Sequence, residues 1–178
     1  MAAARWIVPW IGAAYRHIRA GADRDPLDFM FAGAFARNRW NVPRDPTLYL
    51  AGDLGVLIAE WGRQLSSAVD PEAPASTVAR DVSRFQLRLE AVIDVRDPAV
   101  TAALGRPDAP HCFLDREIAR STARYLRETT PAQALLVPSI AFLDDLTRWN
   151  LVVFLDKLPA DPHQWVHRIE PLGPLRWR

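Results

Sequence analysis

Apolar residues recur along this chain with two periods, one of two residues and one of three to four. In 13–19, AAYRHIR, the two-residue period puts Ala14, Arg16 and Ile18 on one face and Tyr15, His17 and Arg19 on the other, which predicts a strand. If the first face is inward, the Arg16 guanidinium must meet an anion or several acceptors, because an unpaired buried charge is costly. If the strand is an edge, Arg16 is simply solvated, and the pattern leaves both open. The same alternation runs through 85–93, where Phe85, Leu87, Leu89, Ala91 and Ile93 interleave with Gln86, Arg88, Glu90 and Val92. Apolar runs at 47–51, 134–137 and 151–155 have the length of short strands.

Helical spacing governs the rest. Leu54, Leu57, Ile58, Trp61 and Leu65 form one apolar stripe behind a Gly52-Asp53 turn, with Asp53 placed to cap the helix. Glu60 lies off that stripe, on the flank of Val56 and Gln64. Leu114, Ile118, Thr122, Tyr125, Leu126 and Thr129 share a face of a helix over 114–129 that Pro131 ends. Asp97-Pro98 opens a short helix and Gly105 closes it. The segment 27–36 is apolar and reads as helical, whereas 70–76, with Pro71 and Pro74, reads as a surface loop. Pro159, Pro162, Pro171 and Pro174 leave room for one short strand at 165–169 in an otherwise irregular tail. Strands and helices mix without regular alternation, so the expected fold is a single α+β domain over 1–178, with its core at about 13–156 and a proline-rich C-terminal tail.

Composition narrows the function classes. At 178 residues, 49% apolar and 24% charged, the chain has the make-up of one globular domain. The net charge of +1 and the lack of a clustered basic tract argue against direct nucleic-acid or anionic-membrane binding. A lone Cys112 excludes an intrachain disulfide and points to a reducing compartment, and no Cys or His pair has metal-ligand spacing, so no metal is expected. The apolar stretch 6–15 is broken by Pro9 and Gly12 and followed by Arg16, His17 and Arg19, unlike a signal sequence or membrane span. The expected location is cytoplasmic.

Candidate chemistry concentrates in 38–61, NRWNVPRDPTLYLAGDLGVLIAEW. An arginine-rich loop (Arg37, Arg39, Arg44), a strand carrying Tyr49 and a helix carrying Glu60 are brought together there, a combination suited to a phosphorylated, cationic small molecule. The ordered set YRHI, RWN followed by LYLA and a helical IAE, then LLVPS and NLVVF, resembles the RES domain family, from about Tyr15 to Phe154. That family is named for an arginine, a glutamate and a serine, and supplies toxins of bacterial toxin–antitoxin pairs. The resemblance implies an ADP-ribosyltransferase-like fold of mixed sheets with flanking helices. It also implies NAD as a substrate whose nicotinamide–ribose bond is cleaved by phosphorolysis or hydrolysis. On matching positions the name-giving residues are Arg16, Glu60 and Ser139, with Arg39 and Tyr49 completing the pocket. Asn38 stands where relatives often carry glycine, and Ile140-Ala141 where an Ala-Arg pair is common.

The residue types suit that chemistry. Breaking the nicotinamide–ribose bond builds positive charge on the ribose, which a carboxylate such as Glu60 stabilises. Arg16 and Arg39 suit phosphates, Tyr49 can line the nicotinamide pocket, and Ser139 can bond a ribose or amide. Each has a plainer reading as well: a solvated helix glutamate, a packing tyrosine, a turn serine, an arginine stacked beside Trp40. The resemblance implies as partner an adjacent-gene antitoxin with a helix-turn-helix DNA-binding domain; a homo-oligomer stays open. The alternatives are ADP-ribosyl transfer to a protein target and a catalytically inactive interaction domain of the same fold.

Overall fold

A computed structural model describes residues 3–21, 25–34, 36–68 and 79–175 of the chain. The predicted loop at 70–76 and the C-terminal residues 176–178 lie outside the described residues, as does the side chain of Leu65.

Six strands form one mixed sheet: β1 (Ile7–Arg19), β2 (Thr47–Ala51), β3 (Arg80–Asp94), β4 (Ala134–Pro138), β5 (Trp149–Phe154) and β6 (Val166–Leu175). Their order is β1-β2-β5-β4-β3-β6, and β1 also pairs with β3, so β1, β2, β5, β4 and β3 close into a ring. All pairings are antiparallel except β3 with β4. The 15-residue β3 is the hub. One edge runs along β1 from Ile7↔Ile93 to Arg19↔Arg80, while the other is divided between β6, from 80 to 87, and β4, from 92 to 94. The strand β1 starts earlier than the 13–19 pattern indicates and passes through Pro9. Between Val8↔Val92 and Trp10↔Leu89 the register shifts by one residue, so Pro9 sits at a bulge, where a missing N–H is tolerated. The bulge also inverts the alternation in β3: Phe85, Leu87 and Leu89 face one core, and so does Val92.

That core fills the inside of the ring, where Ala14, Leu48, Leu50, Leu136, Leu151 and Val153 meet. Outside it, α3 (Arg116–Thr129) lies over β4 and β5. Asp115 caps this helix, accepting from the N–H groups of Glu117 and Ile118. Its buried face is Ala119, Thr122, Ala123 and Leu126, whereas Leu114 lies before the helix and Tyr125 is exposed. Alanines on the inner face bring the helix close to Leu135, Val137 and Val152. The short α2 (Pro98–Ala103) has Asp97 as its cap, as the sequence predicts. In α1 (Leu54–Ala68), Asp53 Oδ1 accepts from the Val56 N–H at 2.9 Å. Its buried residues are Val56, Leu57 and Trp61, while Leu54 is exposed. The inward face is therefore turned from the predicted stripe toward the Val56–Glu60 flank.

Two further expectations are corrected. The described residues of segment 27–36 are not helical. Their described bonds are three-residue turns, Ala32 N–H to Phe29 O and Ala34 N–H to Phe31 O, and Asp25 and Asp28 cap local turns with their side chains. The C-terminal tail is not irregular either, since β6 is a ten-residue strand on β3. It ends the sheet order, and an edge strand tolerates Pro171 and Pro174. No described helix is long and apolar enough to cross a membrane.

Gly33 fastens the 27–34 loop to the segment before β2. It has φ +80, and a Cβ there would strike the Asp45 carbonyl oxygen and the Thr47 nitrogen. Gly21 has φ +69 but open space around it. In urea unfolding, Gly33→Ala is expected to lose roughly 1–3 kcal/mol from backbone conformation alone, with more from the clash. Gly21→Ala is expected to lose about 1 kcal/mol. Equal midpoints for the two variants would disprove the anchoring role of Gly33.

Candidate active site

The turn after β4 and the face of α1 meet at Glu60. Ser139 is fully buried, and its hydroxyl donates to Glu60 Oε1 at 2.6 Å. The Ala141 N–H reaches the same oxygen at 3.3 Å and also the Ser139 Oγ at 3.3 Å. Asn150 Nδ2, at the start of β5, donates to Oε1 at 3.4 Å. Thus Ser139, Ala141 and Asn150 converge on one carboxylate oxygen. The other, Oε2, lies 4.0 Å from Arg63 Nε, one helical turn along α1. The Glu60 side chain is 24% exposed, so it is held through Oε1 and partly open to solvent.

The arginine loop borders this carboxylate. Arg39 Nη1 donates to the Phe113 and Leu114 carbonyls at 2.7 and 2.6 Å, just before α3. Burial lowers the Arg39 pKa, as do the nearby guanidiniums of Arg116 and Arg63, while Glu60 and then Tyr49 oppose them. Arg120 secures the loop from α3 by donating to the Asn38 and Ala36 carbonyls. Tyr49 fixes it from β2: its hydroxyl accepts from the Trp40 N–H at 2.9 Å and donates to Asn41 Oδ1 at 2.8 Å. Burial raises the Tyr49 pKa far above its ordinary value. With both hydroxyl functions engaged, Tyr49 shapes the loop.

Arg16 lies elsewhere. It shares the face of Ala14, inside the ring, whereas Tyr15 and His17 on the other face pack against α1. Its guanidinium donates to Pro26 O at 2.6 Å and Asp28 O at 3.4 Å, and sits 5.1 Å from the Phe29 ring. The inward-facing reading of Arg16 holds, and its acceptors are loop carbonyls. The structure therefore gathers Glu60, Ser139 and Arg39, with Tyr49 behind the loop, and leaves Arg16 apart. Sequence reasoning had passed over Asn150, Arg63 and Arg116. Asn150 was visible as the polar residue opening NLVVF, and Arg63 as the cation one turn beyond Glu60. Nothing local marks Arg116. His111 and Cys112 form no pair: His111 is exposed, and burial pushes the Cys112 thiol up to about 11. Among the described residues no group of His, Cys, Asp or Glu could hold a metal ion.

A ring-closed mixed sheet with a glutamate and a serine joined across its outer face defines the class of fold. The RES domain family model matches residues 13–178, and the chain belongs to that family. Its fold is similar to that of a chain in the crystal structure of the M. tuberculosis MbcT–MbcA toxin–antitoxin complex. The TM-score is 0.65 at 23% identity, covering 96% of this chain and 88% of that one. No curated protein matches the chain.

His17 contributes a pH dependence. Its ring lies 5.4 Å from Trp61, next to Glu60, and its Nδ1 is buried without a hydrogen-bond partner. Burial, then the charges of Arg80 and Arg16, lower its pKa to about 4. Above about 6.5 the imidazole is neutral whether the chain is folded or not. Between 6.5 and about 4 only the unfolded chain takes up the proton, so stability falls as pH falls through that window and levels off below it. The full effect is about 3 kcal/mol. Urea unfolding from pH 7 to 4 should show wild type losing more stability than His17→Phe by about that amount; parallel curves would rule this out.

Proposed function

We propose that this chain is a toxin of a toxin–antitoxin pair that binds NAD in the cytoplasm and cleaves its nicotinamide–ribose bond, passing ADP-ribose to phosphate or water. The observation that carries this reading is the Glu60 carboxylate, fixed through one oxygen by Ser139, Ala141 and Asn150 and open on the other beside cationic side chains. Membership of the RES family and the likeness to a chain of a toxin–antitoxin complex support it.

As the bond breaks, the ribose carbon gains positive charge and nicotinamide departs with the bonding electrons as a neutral ring. Glu60 Oε2 faces the developing cation. A carboxylate already oriented needs no reorganisation at that moment, which is where electrostatic stabilisation acts. Ser139 works through Glu60 as a positioning residue, since its hydroxyl is occupied by Glu60 and Ala141. Arg39 presents positive charge to the phosphates. Arg16, which donates to the Pro26 and Asp28 carbonyls, shapes the 25–34 loop in this reading. The partner is an antitoxin with a helix-turn-helix domain that covers the cleft.

The test is purified protein with NAD, with and without phosphate, following nicotinamide and the ADP-ribose products. Wild type should release nicotinamide, and phosphate should change the product if it is the acceptor. Glu60→Gln should lose kcat with KM little changed, because the interaction strengthens as the bond breaks. Ser139→Ala should lower kcat by roughly 10²-fold through misplacement of Glu60. Intact NAD with wild-type protein, and equal growth of cells expressing the chain with or without the neighbouring gene product, would refute the proposal. ADP-ribose recovered on added protein would point to the transferase alternative instead.

A further inference from the structure

The N-terminal half of β1 has a strand beside it on one side only. Among the described residues β3 pairs with β1 along its whole length, whereas β2 meets it at Tyr15↔Ala51 alone. The direction of the backbone groups in that half follows from β3. The Arg88 N–H donates to the Trp165 carbonyl, on the β6 side, at 2.9 Å, so Arg88 turns away from its partner in β1, Ile11. Directly opposed residues of an antiparallel pair point their N–H and C=O groups both toward each other or both away. Ile11 therefore directs its own groups away from β3, and Pro9 and Ala13, two places either way, do the same. Tyr15 is next in that series, and it is the residue that meets β2. Pro9 fits this direction, because its missing N–H falls on the open side of an edge.

This open edge is also uncharged. From Trp6 to Tyr15 there is no acidic or basic side chain, and Val8 and Ile11 are 51% and 67% exposed. The other edge of the sheet, β6, is guarded in the usual way, by His167, Arg168 and Glu170 and by Pro171 and Pro174. We infer that the β1 edge pairs with the β1 edge of a second copy of this chain, antiparallel about a two-fold axis at Ile11. In that register Ile11 exchanges N–H and C=O bonds with the partner's Ile11, and the Ala13 N–H of each copy donates to the Pro9 carbonyl of the other. The two Ile11 side chains meet on the outer face, so a large exposed apolar group is covered by its own counterpart. An edge without charges meets itself with no like-charge repulsion, and two-fold pairing closes at two copies. Laid on β6 instead, the same edge would face charges and prolines, and the contact would propagate from copy to copy. The dimer is independent of the reading of Glu60.

The experiment is sedimentation velocity on the purified chain over a concentration series, at low and at high salt, with Ile11→Lys and Leu172→Lys alongside. Wild type should pass from monomer to dimer as concentration rises, and equally at both salts, since no ion pair holds the contact. Ile11→Lys should raise the dissociation constant by about tenfold or more. Leu172→Lys, exposed on β6, should dimerise like wild type. Circular dichroism checks that both variants are folded. A second measurement reads the same contact without a new charge: air-oxidised Ile11→Cys should run as a covalent dimer on a non-reducing gel, and Leu172→Cys should not, the native Cys112 being buried. Wild type that stays monomeric, a dimer that folded Ile11→Lys leaves intact or that high salt dissolves, or Ile11→Cys that gives no cross-link overturns the pairing.

Discussion

The ring of strands closes through one residue pair between β1 and β2, Tyr15 opposite Ala51. Beyond it the two strands part, and the gap is filled by α1, whose Val56 and Leu57 pack on Tyr15 and Ala51. This seam is the constraint on which the rest depends. A helix that must bury Val56, Leu57 and Trp61 at that place has its rotation fixed. Glu60, on the same side, is then delivered to the turn after β4. Burial of those side chains, at roughly 1.5–3 kcal/mol each, thus sets the direction of a carboxylate that itself belongs to no apolar cluster.

Arginine does two kinds of work here. Among its described residues the long connection from β1 to β2 makes few backbone bonds of its own, so its carbonyls take donors from side chains. Arg16 supplies Pro26 and Asp28, Arg120 supplies Ala36 and Asn38, and Asn41 supplies Gly33. A guanidinium with several N–H groups serves two carbonyls at once, which a lysine serves less well. The same loop delivers Arg39 toward Glu60. Arginines that brace the loop and the arginine beside Glu60 are identical by composition and separate only by what lies near them.

That distinction explains what could be read from the chain. The strands predicted at 47–51, 134–137 and 151–155 match β2, β4 (Ala134–Pro138) and β5 (Trp149–Phe154) closely, because their apolar runs are local. Asp53 was legible as a cap, because capping is decided within three residues. The inner face of α1 was misjudged because Leu54 looks as apolar as Val56, and only the position of the seam tells which is buried. The extent of β6 was hidden by Pro171 and Pro174, whose cost vanishes at a sheet edge. Glu60 and Ser139 could be paired through family resemblance, yet their 2.6 Å bond spans 79 positions and no local pattern announces it. Asn150 was in plain view and had no reason to be chosen until Glu60 was seen beside it.

The pairing of β1 with β3 bears on how the molecule is made. Ile7 lies opposite Ile93, and the ring needs β4 and β5 beyond that. Contacts so distant in sequence form slowly, because loop-closure entropy is lost before most of the stabilising burial is gained. Glu60 and the Ser139–Ala141 turn belong to segments that meet only when the circuit of strands is complete. A nascent or half-collapsed chain therefore carries these polar groups without their arrangement, and the Glu60–Ser139 junction arrives together with the last of the topology.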